Sequence, residues 1–123
     1  MKIEAQVLVR LVNGANAREH WAVRANRAKA QRAQAALALR ASAIGRPLAL
    51  QIAGGGLTIT ITRRGGRRMD DDGLTISAKH VRDGIADWLG IDDGDKRLTW
   101  IVRQDKAPRG QHWVDVVVST DEG

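Results

Sequence analysis

The sequence contains no cysteine. That excludes a disulfide framework, a thiolate metal site and a Cys nucleophile. No apolar run approaches the ~18 residues that a membrane-crossing helix needs. The first residues, MKIEAQVLVRLV, alternate polar or charged with apolar side chains, unlike the continuous apolar stretch of a secretory signal. A reducing, cytoplasmic setting with no membrane partner is the expectation. Histidine is also sparse. His20, His80 and His112 lack the spacing of a zinc-protease helix, and no Ser/His/Asp motif is visible. Gly54-Gly55-Gly56 is not followed by the Lys-Ser or Lys-Thr of a phosphate loop. There is no internal repeat and no low-complexity tract.

What is present is a chain of 123 residues, 43% hydrophobic, which fits one domain over residues 1–123 with its own core. Its charge is lopsided. There are 20 Lys and Arg against 14 Asp and Glu, and 15 of the 20 are Arg, whose planar fork suits phosphate. Residues 1–68 carry 13 basic and 2 acidic side chains. Residues 69–123 carry 7 basic and 12 acidic, and 8 of those acids lie between Asp70 and Asp95. A basic half attracts polyanions. A compact acidic segment opposes that attraction unless its carboxylates hold a cation; the alternative is a solvated, patchy surface.

Period-two alternation predicts a strand over residues 3–12, with Ile3, Ala5, Val7, Val9 and Leu11 on one face. Residues 17–41 are rich in Ala, Arg and Gln and free of Pro and Gly. They predict a helix with Val23, Ala30 and Leu37 on its inner side and Trp21 in the core. Residues 48–52 are a candidate short strand. Leu57, Ile59 and Ile61 alternate with threonines, a strong strand pattern. They lead into Arg63-Arg64-Gly65-Gly66-Arg67-Arg68, read as a basic loop that grips phosphates or merely keeps the surface soluble. Leu74, Ala78, Val81, Ile85 and Leu89 predict a helix over 74–89, N-capped by Asp72 and stopped by Gly90. Its His80 is expected to face solvent. Residues 98–103 and 112–119 read as the last two strands. The order β-α-β-α-β-β predicts an α+β fold, a small mixed sheet packed with two helices.

Met69-Asp70-Asp71-Asp72-Gly73-Leu74 is the centre of interest. In an extended segment Asp70 and Asp72 share a face. Adjacent carboxylates repel unless protonated or bridged by a cation. An all-oxygen set suits Mg²⁺, with Mn²⁺ as a substitute. A third carboxylate from Ile91-Asp92-Asp93-Gly94-Asp95 would complete a site that activates water against a phosphodiester. Lys79 lies seven residues past Asp72, on the same side of a continuous helix, within reach of a phosphate or leaving group. Paired with Asp83 it is instead a surface ion pair, and Arg82 reads as surface charge or a backbone contact. Asp clusters at helix starts and turns are also ordinary structural features. A calcium loop is excluded, because Val81 and Arg103 stand where its twelfth-position Glu would be. A helix over 74–89 is ~24 Å long, so Asp93 meets Asp72 only through a fold-back, a late helix start or a partner subunit.

Three segments together carry a resemblance: Arg67-Arg68-Met69-Asp70-Asp71-Asp72-Gly73-Leu74, Lys79-His80-Val81-Arg82-Asp83-Gly84-Ile85 and Gly90-Ile91-Asp92-Asp93-Gly94-Asp95. Their pattern resembles the RusA family of Holliday-junction resolvases, above all its phage and prophage members. That family has an Arg-rich lead-in, a D-x-D-N-L core, a Lys on the next helix and an Asp-Asp pair after it. The resemblance implies a homodimeric, Mg²⁺-dependent endonuclease that cuts four-way DNA junctions, with no organic cofactor. It implies metal ligands at Asp70 and Asp72, with Asp93, or else Asp92, as the third carboxylate. Lys79 matches the family's functional Lys. Arg63, Arg64, Arg67, Arg68, Lys79 and Arg82 are then the expected DNA contacts. The chain departs from the pattern at Gly73, where the family has Asn; glycine cannot orient Asp72 through a side-chain hydrogen bond. The alternatives are a non-catalytic branched-DNA-binding protein of the same fold, or a small interaction module whose acidic turn only caps a helix.

Overall fold

A computed structural model of the chain describes residues 2–12, 20–43 and 55–120. The candidate strand at 48–52 lies outside the described residues, as does the start of the helix expected from residue 17. The chain is α+β. Strand β1 spans Lys2–Val7, helix α1 Trp21–Ser42 and strand β2 Leu57–Gly65. Helices α2 (Asp71–Ser77) and α3 (Lys79–Leu89) follow, then strands β3 (Leu98–Lys106) and β4 (Trp113–Thr120). The sheet order is β1-β4-β2-β3, with β2 parallel to β3 and the other two pairings antiparallel.

Register turns the period-two pattern into rows across the sheet. Ile3, Val118, Ile59 and Trp100 form one row, and Ala5, Val116, Ile61 and Val102 the next. Ala35 and Leu39 of α1 join Val81 and Ile85 of α3 in one core with these strands. Strand β1 stops at Val7, short of the predicted residue 12. The Val9 N–H donates to the Val7 carbonyl at 2.9 Å, a three-residue turn that throws Leu8 outward. Leu11 still returns to the core, so the inward pattern outlasts the strand.

Two helix expectations are corrected. On α1 the buried stripe is Gln31, Ala35, Leu39 and Ala43, at four-residue spacing. Val23 and Leu37 face solvent, Ala30 is exposed, and Trp21 is 74% exposed rather than in the core. In so Ala- and Arg-rich a helix no bulky stripe dictates the face. Close approach does. The helix expected over 74–89 is two helices, interrupted at Ala78. The buried Ser77 hydroxyl donates to the Leu74 carbonyl at 2.7 Å, an in-turn bond that competes with the helical ladder. Leu74, Ala78, Val81 and Ile85 are buried all the same. Gly90 ends α3 in the left-handed region, φ 74°.

Helices α1 and α3 touch at Gly84. A Cβ there would run into the Arg32 carbonyl oxygen and come within 2.9 Å of the Ala35 Cβ. Beside this contact Arg32 forks onto Asp87, with Nε–Oδ2 at 2.5 Å and Nη2–Oδ1 at 2.7 Å. Gly84→Ala is therefore expected to lose about 1–3 kcal/mol from overpacking, against the helix propensity that Ala adds. The check is the urea midpoint; an unchanged midpoint would mean that the two helices separate freely.

Candidate functional site

The acidic core sits where β2 gives way to the crossover. Between them runs a short lead-in held by one side chain. Gln104 of β3 accepts from the Met69 N–H at 2.9 Å and donates to the Met69 carbonyl at 2.6 Å. An extended backbone thus meets a side-chain amide as it would a strand edge. The hold fixes the next residue. Asp70, not Asp72, is the N-cap of α2: its Oδ1 accepts from the Gly73 N–H at 3.0 Å. Asp71 and Asp72 occupy the first turn, where the helix dipole favours negative charge. Asp70, Asp71 and Asp72 are all exposed. Among the described residues none of the three enters an ion pair.

The second acidic cluster is committed elsewhere. Asp93 Oδ2 lies 3.3 Å from Arg82 Nε, an ion pair without hydrogen-bond alignment. The Asp93 carbonyl accepts from the Trp100 indole at 2.8 Å, and the Arg82 guanidinium lies 4.7 Å from the Trp100 ring centre. Arg82, Asp93 and Trp100 form one knot. Arg97 grips both oxygens of Asp95 at 3.0 Å, and its side chain, then its backbone N–H, pulls that carboxyl down to about 2. Asp92 is exposed.

Met69 is tied to Gln104 and Asp93 to Trp100, four residues apart on β3. At 3.3 Å per residue the anchors are about 13 Å apart. Among the described residues no three His, Asp or Glu side chains converge as a metal ion requires. Within one chain the set Asp70, Asp72, Asp92 and Asp93 does not fit a three-carboxylate Mg²⁺ site. Asp70 and Asp72 supply two acids at one end of the crossover, while Asp93 is neutralised by Arg82 at the other.

The basic residues divide four ways. Arg63 and Arg64 are not loop residues, because β2 runs on to Gly65. Arg64 bonds Asp115 at 2.8 Å and Asp105 at 3.0 Å on the sheet face away from the helices. Arg63 continues the core-facing row and is only 7% exposed. Arg67 and Arg68 are exposed just before the acidic core. Lys79 opens α3, and the break at Ala78 removes the continuous helix that put it on the side of Asp72. It lines a cleft of about 320 Å³ with Arg24, Arg27, Ile76 and His80. His80 is half-buried rather than solvent-facing, and burial pushes its pKa down.

No protein-family model matches the chain, and no curated protein matches it. Sequence reasoning passed over Gln104 and Trp100. The signal for Gln104 was a polar residue continuing the inward row of Trp100 and Val102. Gln104→Ala is expected to leave the Met69 peptide without its partners, costing about 1–3 kcal/mol and speeding amide exchange at Met69 and Gly73; unchanged exchange would refute the hold. The Asp95 carboxyl titrates below its unfolded ~3.9. Its contribution is complete above pH ~4 and is lost as the pH falls toward 2. An Asp95→Asn variant should lack that limb of the acid-unfolding curve, and superimposable curves would count against the Arg97 clamp.

Proposed function

We propose that the protein is a structure-selective endodeoxyribonuclease of the RusA kind, acting as a homodimer on four-way DNA junctions in the bacterial cytoplasm. The observation that carries this reading is the exposed Asp70–Asp72 pair directly after the exposed Arg67–Arg68 pair, in the order and spacing of the resolvase motif. Two cations ahead of two carboxylates bring a phosphodiester backbone to groups that otherwise repel it. No helix among the described residues is long and apolar enough to cross a membrane, in keeping with action on DNA. Arg67 and Arg68 are the phosphate contacts on this reading. Arg82 is a positioning residue, since it holds Asp93 and stacks on Trp100. Dependence on Mg²⁺ or Mn²⁺ belongs to the proposal through Asp70 and Asp72; among the described residues no third carboxylate joins them.

A second reading, a non-catalytic branched-DNA-binding protein, is favoured by two observations. Asp93 is already neutralised by Arg82, and Gly73 contributes only its backbone N–H to Asp70. The two readings part on one assay. A synthetic four-way junction and a linear duplex are incubated with Mg²⁺, Mn²⁺ or EDTA. Resolution predicts paired, metal-dependent nicks on the junction alone, at least ~100-fold slower in Asp70→Asn and Asp72→Asn, while junction affinity is kept or raised. Tight binding without nicks in either metal supports the second reading. Equal affinity for junction and duplex, with no nicks, sinks both.

A further inference from the structure

At the C-terminal end of the parallel strand pair lies a cleft of about 280 Å³, lined by Arg63, Gly65, Gly66 and Arg68 from one strand and its exit, and by Gln104, Asp105 and Lys106 from the other. Its floor is unusual. The row above Ala5, Val116, Ile61 and Val102 reads Val7, Val114, Arg63 and Gln104. An arginine thus occupies a position that the pattern of the strand assigns to the core. Arg63 is 7% exposed. Among the described residues its only hydrogen bond runs from Nη1 to the neutral Gln104 Oε1 at 3.3 Å, and no carboxylate pairs with it.

A buried guanidinium without a counter-charge is expensive. Burial, and then the nearby Arg10, push its pKa down, yet an arginine stays protonated at neutral pH. The acid nearest in the lining does not relieve it. Asp105 gives one oxygen to Arg64 at 3.0 Å and the other to the Lys106 N–H at 2.8 Å. Gly65 keeps the space open. A Cβ there would stand 3.0 Å from Arg63 Nη2 and 3.3 Å from His112 Nδ1, so both nitrogens approach the bare side of this glycine. Arg68 and Lys106 stand exposed at the rim.

We propose that this cleft is an anion site that takes one phosphate group, with Arg63 as its buried donor and Arg68 and Lys106 as its rim. Where the phosphate belongs to DNA, the site deepens the nucleic-acid reading above. It lies beside the lead-in to Asp70 and sets the register of the strand on the acidic core. The ion-binding half stands without that reading.

The test uses the full chain. Thermal unfolding is followed in inorganic phosphate and in chloride at matched ionic strength, for the wild type, Arg63→Met and the rim variant Lys106→Gln. Phosphate raises stability of many proteins by exclusion from their surface, so the comparison between proteins is what counts. The wild type is expected to gain about 3–5 °C more from phosphate than Arg63→Met does, with Lys106→Gln in between. Arg63→Met should keep or raise its melting temperature in chloride, since an unpaired buried charge is gone. If Arg63→Met fails to fold, Arg63→Lys and Lys106→Gln carry the comparison. A salt titration of binding to a labelled linear duplex separates the sources. Loss of about one counterion from the slope in the variants assigns the site to a DNA phosphate. A lost phosphate effect with an unchanged slope assigns it to the free ion. Equal phosphate stabilisation in all proteins overturns the site, whatever the junction assay gives.

Discussion

The parallel pairing of β2 with β3 is the constraint from which the rest follows. A parallel neighbour cannot be reached by a tight turn; the chain must travel back along the sheet. Residues 66–97 make that return, with α2 and α3 as its helices. The segment that leaves β2 and the segment that enters β3 therefore lie toward opposite ends of the strands. The first holds Asp70 to Asp72 and the second holds Asp92 to Asp95. Two acidic clusters that look like one constellation in sequence are separated by the topology.

The same crossover needs a support, and α1 provides it. The small side chains at the crossing let α1 and α3 approach at Gly84, and Arg32 with Asp87 closes the flank. Gln31, the residue before Arg32, makes a second tie. Buried at 4% exposure, it donates to the Arg10 carbonyl at 2.9 Å and ties α1 to the chain after β1. Backbone groups that no sheet or helix partners are thus met twice by glutamine: Arg10 by Gln31, Met69 by Gln104. Both are polar residues on faces that the pattern marks as apolar.

That pairing explains what the sequence made legible. Alternation in Ile3–Val7, Leu57–Ile61 and Trp113–Thr120 is strong because each strand is buried on one face, so the strands and their inward residues were readable even where β1 ends early and β2 runs on. The buried positions of α2 and α3 were equally readable, since Leu74, Val81 and Ile85 are bulky. Helix α1 was not, for its inner face is chosen by what is small enough to fit against Gly84. The extent of β2 was misread because Gly65-Gly66 within a run of arginines has the composition of an exposed loop. Arg63 and Gly65 nevertheless continue the inward alternation. The acidic core stood out in the sequence, but which aspartate caps α2 turns on the hold of Gln104 on Met69, and the Arg82–Asp93 pair likewise depends on a contact that spacing does not encode.

Charge follows the same logic. Arg64, Arg82 and Arg97 are each matched to an acid from the second half of the chain, and Arg32 to Asp87. Such pairs between exposed groups contribute little to stability. Their larger effect is to remove charge from the surface that meets a partner. The acids of the second half cancel arginines along the helix flank and the open sheet face. Arg67 and Arg68 are left beside Asp70 to Asp72, with Arg63 buried beneath them in the β2 row. The net charge of +6 stays spread over the surface, since Lys29, Arg40, Arg103 and Arg109 are exposed as well; what sets the exit from β2 apart is that exposed cations stand directly before exposed acids.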